Sequence, residues 1–78
     1  MNNIEKLKKA FSDALELSSD KITDELSYGN ETWDSIAHLA LVASIETEFD
    51  IMLNSDDVID MSSFKKAKEI LNKYDINF

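Results

Sequence analysis

The sequence predicts an all-α protein: a four-helix bundle of three main helices and one short helix, with a long loop between helices one and two. Apolar residues recur at intervals of three and four in three segments, which is the spacing of one face of an α-helix. The chain contains no proline and one glycine, so it has few helix breakers. Because 78 residues cannot bury two separate cores, we expect a single domain over residues 1–78.

The first helix is predicted over Asn3–Leu15, where the apolar side chains form one stripe and most charged side chains lie elsewhere. The helical rhythm fails over residues 16–33, a segment that holds the only glycine and several turn-forming Ser, Asp and Asn residues. A loop of this length needs contacts of its own with the core. We therefore expect Ile22, Leu26 and Tyr28 to hold it in place, and a short helical turn within it.

The second helix is predicted to begin at Asp34, as its N-cap, and to end near Phe49, with Trp33 as a packing anchor for the loop. It has two apolar faces. The face suited to the core comprises His38, Leu41, Val42, Ile45 and Phe49. The opposite face comprises Ile36, Leu39, Ala40 and Ala43. Either this helix is central and wrapped by the other three, or the second face is a docking surface for a partner.

Two further helices are predicted in the C-terminal third of the chain. A short helix over Asn54–Ile59 would turn Val58, Ile59 and Met61 toward the core. The last helix, from Ser62 or Ser63 to Tyr74, has one apolar face. The acidic run of the short helix lacks the turn glycine and the final glutamate of a calcium-binding EF-hand, so we expect no metal site there.

Charge and composition restrict the partners. Sixteen acidic and eight basic residues give a net charge of −8, which repels nucleic acid and anionic membranes and favours proteins with basic docking patches. The chain has no cysteine, and its first residues, MNNIEKLKKAF, lack the apolar run of a signal peptide. We expect an acidic, cytoplasmic monomer.

Asp34, Ser35 and His38 lie on adjoining helical turns and allow three interpretations. A hydrolase triad would also need an oxyanion hole, a substrate pocket and a motif such as GxSxG, so we expect no enzyme. In a structural interpretation Asp34 caps the helix and His38 sits at the core edge with one ring nitrogen hydrogen-bonded. In the third, Ser35 carries a phosphate ester, which the free amides and dipole of a helix N-terminus favour.

Over most of its length the sequence resembles the acyl carrier proteins. Asp34-Ser35-Ile36 stands in the place of the family's Asp-Ser-Leu, residues 46–49 (ETEF) in the place of its Glu-Glu-Glu-Phe, and residues 61–64 (MSSF) open the last helix. The resemblance implies that Ser35 receives 4′-phosphopantetheine from coenzyme A through a separate Mg²⁺-dependent transferase. It implies that acyl or aminoacyl groups are then carried as thioesters on this arm, and that Asp34 assists the transferase.

The resemblance also implies roles for the second helix. Partner enzymes would bind the apolar face and its acidic surroundings, at Ile36, Leu39, Ala43 and Glu46. The interior of the bundle would shelter an acyl chain, and its lining would include His38 and Val42.

Three positions depart from the pattern of fatty-acid carriers: Thr32 replaces a glycine, and Ala37 and Ala40 replace acidic residues. The stretch WDSIAHL is more similar to the WDSL-type discrete carriers of specialised pathways, such as polyketide, nonribosomal peptide or surface-glycan acylation. The alternative is an unmodified acidic helical adaptor, which would bind another protein through the face containing Ile36 and Leu39.

Overall fold

The computed structural model describes residues 2–78 and contains the four predicted helices. They are α1 (Asn3–Leu15), α2 (Ser35–Phe49), α3 (Ser55–Asp60) and α4 (Phe64–Asn72). A short 3₁₀ turn, Ser19–Lys21, lies within the long loop between α1 and α2, as expected. The all-α four-helix prediction is therefore confirmed, with α1 at its predicted bounds.

Each helix begins at a side chain that caps it. The caps are Asn2, Asp34, Asn54 and Ser63, and each accepts a hydrogen bond from the backbone N–H three residues further on. A cap of this kind stabilises a helix by about 1 kcal/mol because it satisfies an otherwise free amide. The predicted cap at Asp34 is confirmed, and α4 ends at Asn72, two residues earlier than predicted.

The core joins three helices and the loops around one aromatic cluster. α1 packs along α2. Phe11 of α1 meets Trp33 and Phe64 edge to face, at centroid distances of 5.3 and 5.0 Å. Trp33 is completely buried, as predicted for an anchor of the loop. The other buried apolar side chains are Leu7, Ala10, Leu15, Ile22, Leu41, Ile45, Leu53, Met61, Ala67, Ile70, Leu71 and Ile76.

The long loop is tied to the segment between α3 and α4. The Phe64 amide donates to the Leu26 carbonyl at 3.0 Å, and the Tyr28 amide donates to the Ser62 carbonyl at 2.8 Å. Ile22 is buried and Leu26 packs against the core, as expected. Tyr28 is 46% exposed, yet it also holds the loop: its ring meets the buried Trp33 edge to face, with 6.3 Å between centroids. Its ring therefore lies against the core, with one side at the surface.

One prediction for α3 was wrong. Met61 is buried and Val58 is partly buried, but Ile59 is 78% exposed. Side chains three positions apart share a helix face, whereas neighbours in the chain are separated by 100°. Val58 and Met61 therefore face the core together, and Ile59 is turned to solvent.

A buried carboxylate fastens α3 to the C-terminal end of α4. Asp57 is 3% exposed and accepts hydrogen bonds from Lys73 Nζ and, at 2.6 Å, from the Tyr74 hydroxyl. The hydrogen bond from Lys73, followed by that from Tyr74, holds the pKa of Asp57 below its usual value. The same contact raises the pKa of Lys73. Among residues 2–78, no helix is long and apolar enough to cross a membrane.

Candidate functional site

Ser35 is the first residue of α2, and its side chain is exposed. Asp34 caps the helix through Oδ1, which accepts from the Ala37 amide at 2.9 Å. The Ser35 hydroxyl lies 3.0 Å from the hydroxyl of Tyr28. The site is therefore an exposed alcohol at a helix N-terminus, hydrogen-bonded to a tyrosine of the loop.

Behind Ser35, a chain of hydrogen bonds links the loop, α2 and α3. Trp33 Nε1 donates to His38 Nδ1 at 2.9 Å, and His38 Nε2 lies 2.7 Å from the Val58 carbonyl oxygen. An indole N–H can only donate, so Nδ1 must accept and the imidazole hydrogen lies on Nε2, where it donates to Val58. The indole and imidazole rings are nearly coplanar, with 21° between their planes and 6.0 Å between centroids, as an in-plane N–H···N hydrogen bond requires. His38 thus has both ring nitrogens hydrogen-bonded, whereas the structural interpretation expected one.

These contacts do not form a Ser-His-Asp catalytic triad. A nucleophilic serine needs a histidine that accepts its proton and a carboxylate that orients that histidine. Here the Ser35 hydroxyl is paired with Tyr28, and both nitrogens of His38 are paired with other groups. Asp34 is a helix cap. The three side chains lie close in sequence but are directed to different partners.

A cleft of about 330 Å³ opens beside Ser35. Its walls come from the loop, the start of α2, and α3 with the residues after it. The lining residues are Tyr28, Ser35, His38, Val58, Ile59, Met61 and Ser62. Of the two residues predicted to line an acyl cavity in the interior, His38 lines this cleft, whereas Val42 lies one turn further along α2 and packs against the core.

The second apolar face of α2 is open to solvent. Ile36 is 79% exposed and Leu39 is 68% exposed, and Ala40 and Ala43 are exposed as well. The interpretation of a central, wrapped helix is therefore wrong. Leu41 and Ile45 fill the core from the opposite side of α2, and no other helix covers the face that begins beside Ser35 within residues 2–78. We call Ile36, Leu39, Ala40 and Ala43 the exposed face.

Glu46, predicted to contact partners, has an internal hydrogen bond. Its Oε2 accepts from the Leu53 amide at 2.9 Å, which fixes the connection between α2 and α3. Its negative charge nevertheless belongs to an acidic stretch of the sequence. Residues 22–64 contain ten acidic residues and no lysine or arginine. All eight basic residues lie before or after that segment. The part of the chain that carries Ser35 and the exposed face is therefore strongly acidic.

Two features of the site were missed from the sequence. The hydroxyl of Tyr28 was not expected to pair with Ser35, and Trp33 and His38 were not expected to bond to each other. No periodic pattern in the chain indicates either contact. The spacing of five residues between Trp33 and His38 spans a loop end and a helix start, so helical geometry alone does not bring the rings together.

Comparison with known proteins identifies the family. No protein-family model matches the chain. The chain is 32% identical over 74 residues to the acyl carrier protein of Buchnera aphidicola subsp. Schizaphis graminum (strain Sg), and the alignment covers 92% of this chain and 94% of that protein. The chain therefore belongs to the acyl carrier protein family, whose members act as carriers.

Proposed function

We propose that residues 1–78 form a single carrier domain with 4′-phosphopantetheine, derived from coenzyme A, attached to Ser35. When bound, this group supplies a terminal thiol that carries acyl or aminoacyl groups as thioesters. The observation that carries the proposal is the exposed Ser35 hydroxyl at the N-terminus of α2. A phosphodiester there would meet the positive end of the helix and the Tyr28 hydroxyl, which can donate to it.

Asp34 has two tasks in this proposal. Its Oδ1 holds the first turn of α2 in place, so the Ser35 hydroxyl has a fixed position at the helix start. Its other oxygen would assist the Mg²⁺-dependent transferase that modifies Ser35. The attachment chemistry then belongs to the transferase, and this chain supplies the hydroxyl, its orientation and a recognisable surface.

Partner enzymes would bind the exposed face, particularly Ile36, Leu39 and Ala43. Exposed apolar side chains next to acidic ones suit a partner patch with an apolar centre and a basic rim. Glu46 would add negative charge near the C-terminal end of α2, beside that surface. We propose that the protein works in the cytoplasm as a monomer and binds neither nucleic acid nor membranes, as its charge favours.

The pathway is proposed to be a specialised one, as in discrete carriers of the WDSL type. Thr32, Ala37 and Ala40 differ from the residues usual in fatty-acid carriers, and Ala40 lies on the exposed face. Enzymes of fatty-acid synthesis should therefore load and extend this carrier poorly. Efficient elongation by those enzymes would refute the assignment to a specialised pathway without affecting the carrier role.

Intact-mass spectrometry tests attachment directly. Incubation with coenzyme A, Mg²⁺ and a broad-specificity phosphopantetheinyl transferase should add one phosphopantetheine to the wild type and none to Ser35→Ala. Ser62→Ala is the matched control, since Ser62 lines the same cleft and is exposed, and this variant should still be modified. Circular dichroism should show that Ser35→Ala keeps its fold, because Asp34 retains the cap. Failure of several transferases to modify the wild type would favour the unmodified adaptor.

A pair of charge substitutions tests the exposed face. Leu39→Glu places a charge within it, whereas Met52→Glu places the same charge on an 85% exposed side chain beyond the end of α2. Burying a leucine at an interface contributes about 1.5–3 kcal/mol, so Leu39→Glu should raise the KM of the transferase by about 10- to 150-fold. Met52→Glu should change it little. Equal effects of the two variants would contradict docking at this face.

A further inference from the structure

The cleft beside Ser35 is closed on its inner side by the hydrogen-bond chain of Trp33, His38 and Val58. Trp33 is completely buried and cannot swing away without opening the aromatic cluster around Phe11. Its indole N–H holds the imidazole of His38, which in turn donates to the carbonyl of Val58. These hydrogen bonds tie α2 to α3 next to the proposed attachment point.

A carried group that entered the core from the cleft beside Ser35 would pass between α2 and α3. That passage separates His38 from Val58 and leaves a carbonyl and an imidazole N–H, both partly buried, without partners. Met61, which lines the cleft and is 1% exposed, would also have to move. A short acyl group buries too few methylene groups to offset these losses.

We propose that the Trp33-His38-Val58 chain closes the interior of the bundle to the carried group, so that this carrier takes short or polar acyl groups that remain outside the core. The inference rests on the attachment at Ser35 proposed above. It makes His38 a specificity-determining residue, since its imidazole links the other two members. The cleft has a polar edge at Tyr28, Ser35 and Ser62 and an apolar wall of Val58, Ile59 and Met61, so it can hold a short acyl group without opening the core.

A chain-length series tests this inference. Acetyl, butyryl and octanoyl groups are loaded from the corresponding acyl-coenzyme A by a broad-specificity transferase, and loading is checked by intact mass. Two quantities are measured for each form: the melting temperature, and the rate at which hydroxylamine cleaves the thioester. In the wild type, both should be independent of chain length, because all three groups remain exposed.

The His38→Ala variant should behave differently. Removing the imidazole opens the passage, so the melting temperature should rise and cleavage should slow several-fold from the acetyl to the octanoyl form. Ser44→Ala is the control: Ser44 lies on α2 as well, is partly buried, and does not line the cleft. It should show the same length independence as the wild type. Comparing each variant with its own acetyl form removes the effect of the substitution on basal stability.

The possible outcomes separate the two proposals. Absence of loading refutes attachment at Ser35. Successful loading followed by octanoyl protection in the wild type refutes a closed interior and leaves attachment intact. A wild type and a His38→Ala variant that are both insensitive to chain length refute the role of His38. The wild-type series needs no substituted protein, so it decides the question of the interior even where His38→Ala does not fold.

Discussion

The substitution Trp33→Phe should destabilise the protein by about 2–4 kcal/mol. Loss of the indole N–H leaves His38 Nδ1 without its donor, and an unsatisfied, partly buried acceptor costs about 1–3 kcal/mol. The smaller phenyl ring leaves a cavity beside Phe11 in a fully buried site, which adds about 1 kcal/mol, less than full truncation to alanine. A domain of 78 residues has a free energy of unfolding of about 4–12 kcal/mol, so the variant should fold but with a much smaller margin.

Urea unfolding followed by far-ultraviolet circular dichroism is the suitable assay. Trp33 is the only tryptophan, so its fluorescence is lost in the variant and cannot report on both proteins. The urea midpoint should fall with an unchanged slope, because the surface exposed on unfolding stays nearly the same. The melting temperature should fall by about 8–30 °C, from about 4–8 °C for each kcal/mol in a domain of this size.

A double-mutant cycle isolates the hydrogen bond from the packing. When Trp33→Phe is combined with His38→Ala, the two losses should overlap by about 0.5–1.5 kcal/mol, the net contribution of one hydrogen bond. A coupling energy below about 0.3 kcal/mol would show that the two rings lie side by side without a significant hydrogen bond. A loss under about 1 kcal/mol for Trp33→Phe alone would refute the whole estimate.

The remaining predictions concern the cap, the buried carboxylate and the tyrosine at the site. Asp34→Ala should lower the free energy of unfolding by about 1 kcal/mol. Asp34→Asn keeps a capping oxygen, so it should be more stable than Asp34→Ala, yet it should still accept phosphopantetheine slowly. Wild-type transfer rates in both variants would contradict a role for the carboxylate. The hydrogen bond from Lys73 holds the pKa of Asp57 below its usual 3.8, so the ionised carboxylate stabilises the folded state. This contribution is fully present above pH 3.8 and is lost as the pH falls through the lower pKa of the folded protein. Asp57→Asn should thus be several degrees less stable than wild type at neutral pH, and a melting-temperature difference that did not shrink on acidification below 3.8 would contradict this assignment. Tyr28→Phe should change the free energy of unfolding by less than about 0.5 kcal/mol. It should slow the initial transfer of phosphopantetheine to Ser35 by about two- to tenfold, because the lost hydroxyl no longer orients the serine. An unchanged rate would show that the contact is incidental.

Much of the fold could be predicted from local patterns in the chain. The apolar stripe of α1 and the failure of that stripe at Glu16 predicted a helix whose bounds agree with the structure. Asp34 predicted the start of α2 because an N-cap acts on amides only a few residues away. The same local logic placed Ser35 on the first turn, and the family resemblance carried by these residues is confirmed by a relative that matches nearly the whole chain.

The candidate site itself depended on contacts that no local pattern contains. Tyr28 reaches Ser35 because the backbone of its loop is tied to Ser62, 34 residues further along the chain. His38 bonds to Val58, 20 residues away, only because α3 returns beside α2. Ile59 was predicted inside and lies outside, since a helix of six residues has room for only one buried face.

The sequence by itself determined the bounds of α1 and the start and end of α2, that α2 has two apolar faces, and that the segment around Ser35 is acidic. These properties follow from residue spacing, short-range capping and charge, which act within a few positions of the chain. Only the tertiary structure decided that the second face of α2 is exposed and that His38 joins Trp33 to Val58 behind Ser35. Periodicity reports which side chains share a face, but whether that face is covered depends on where distant segments pack.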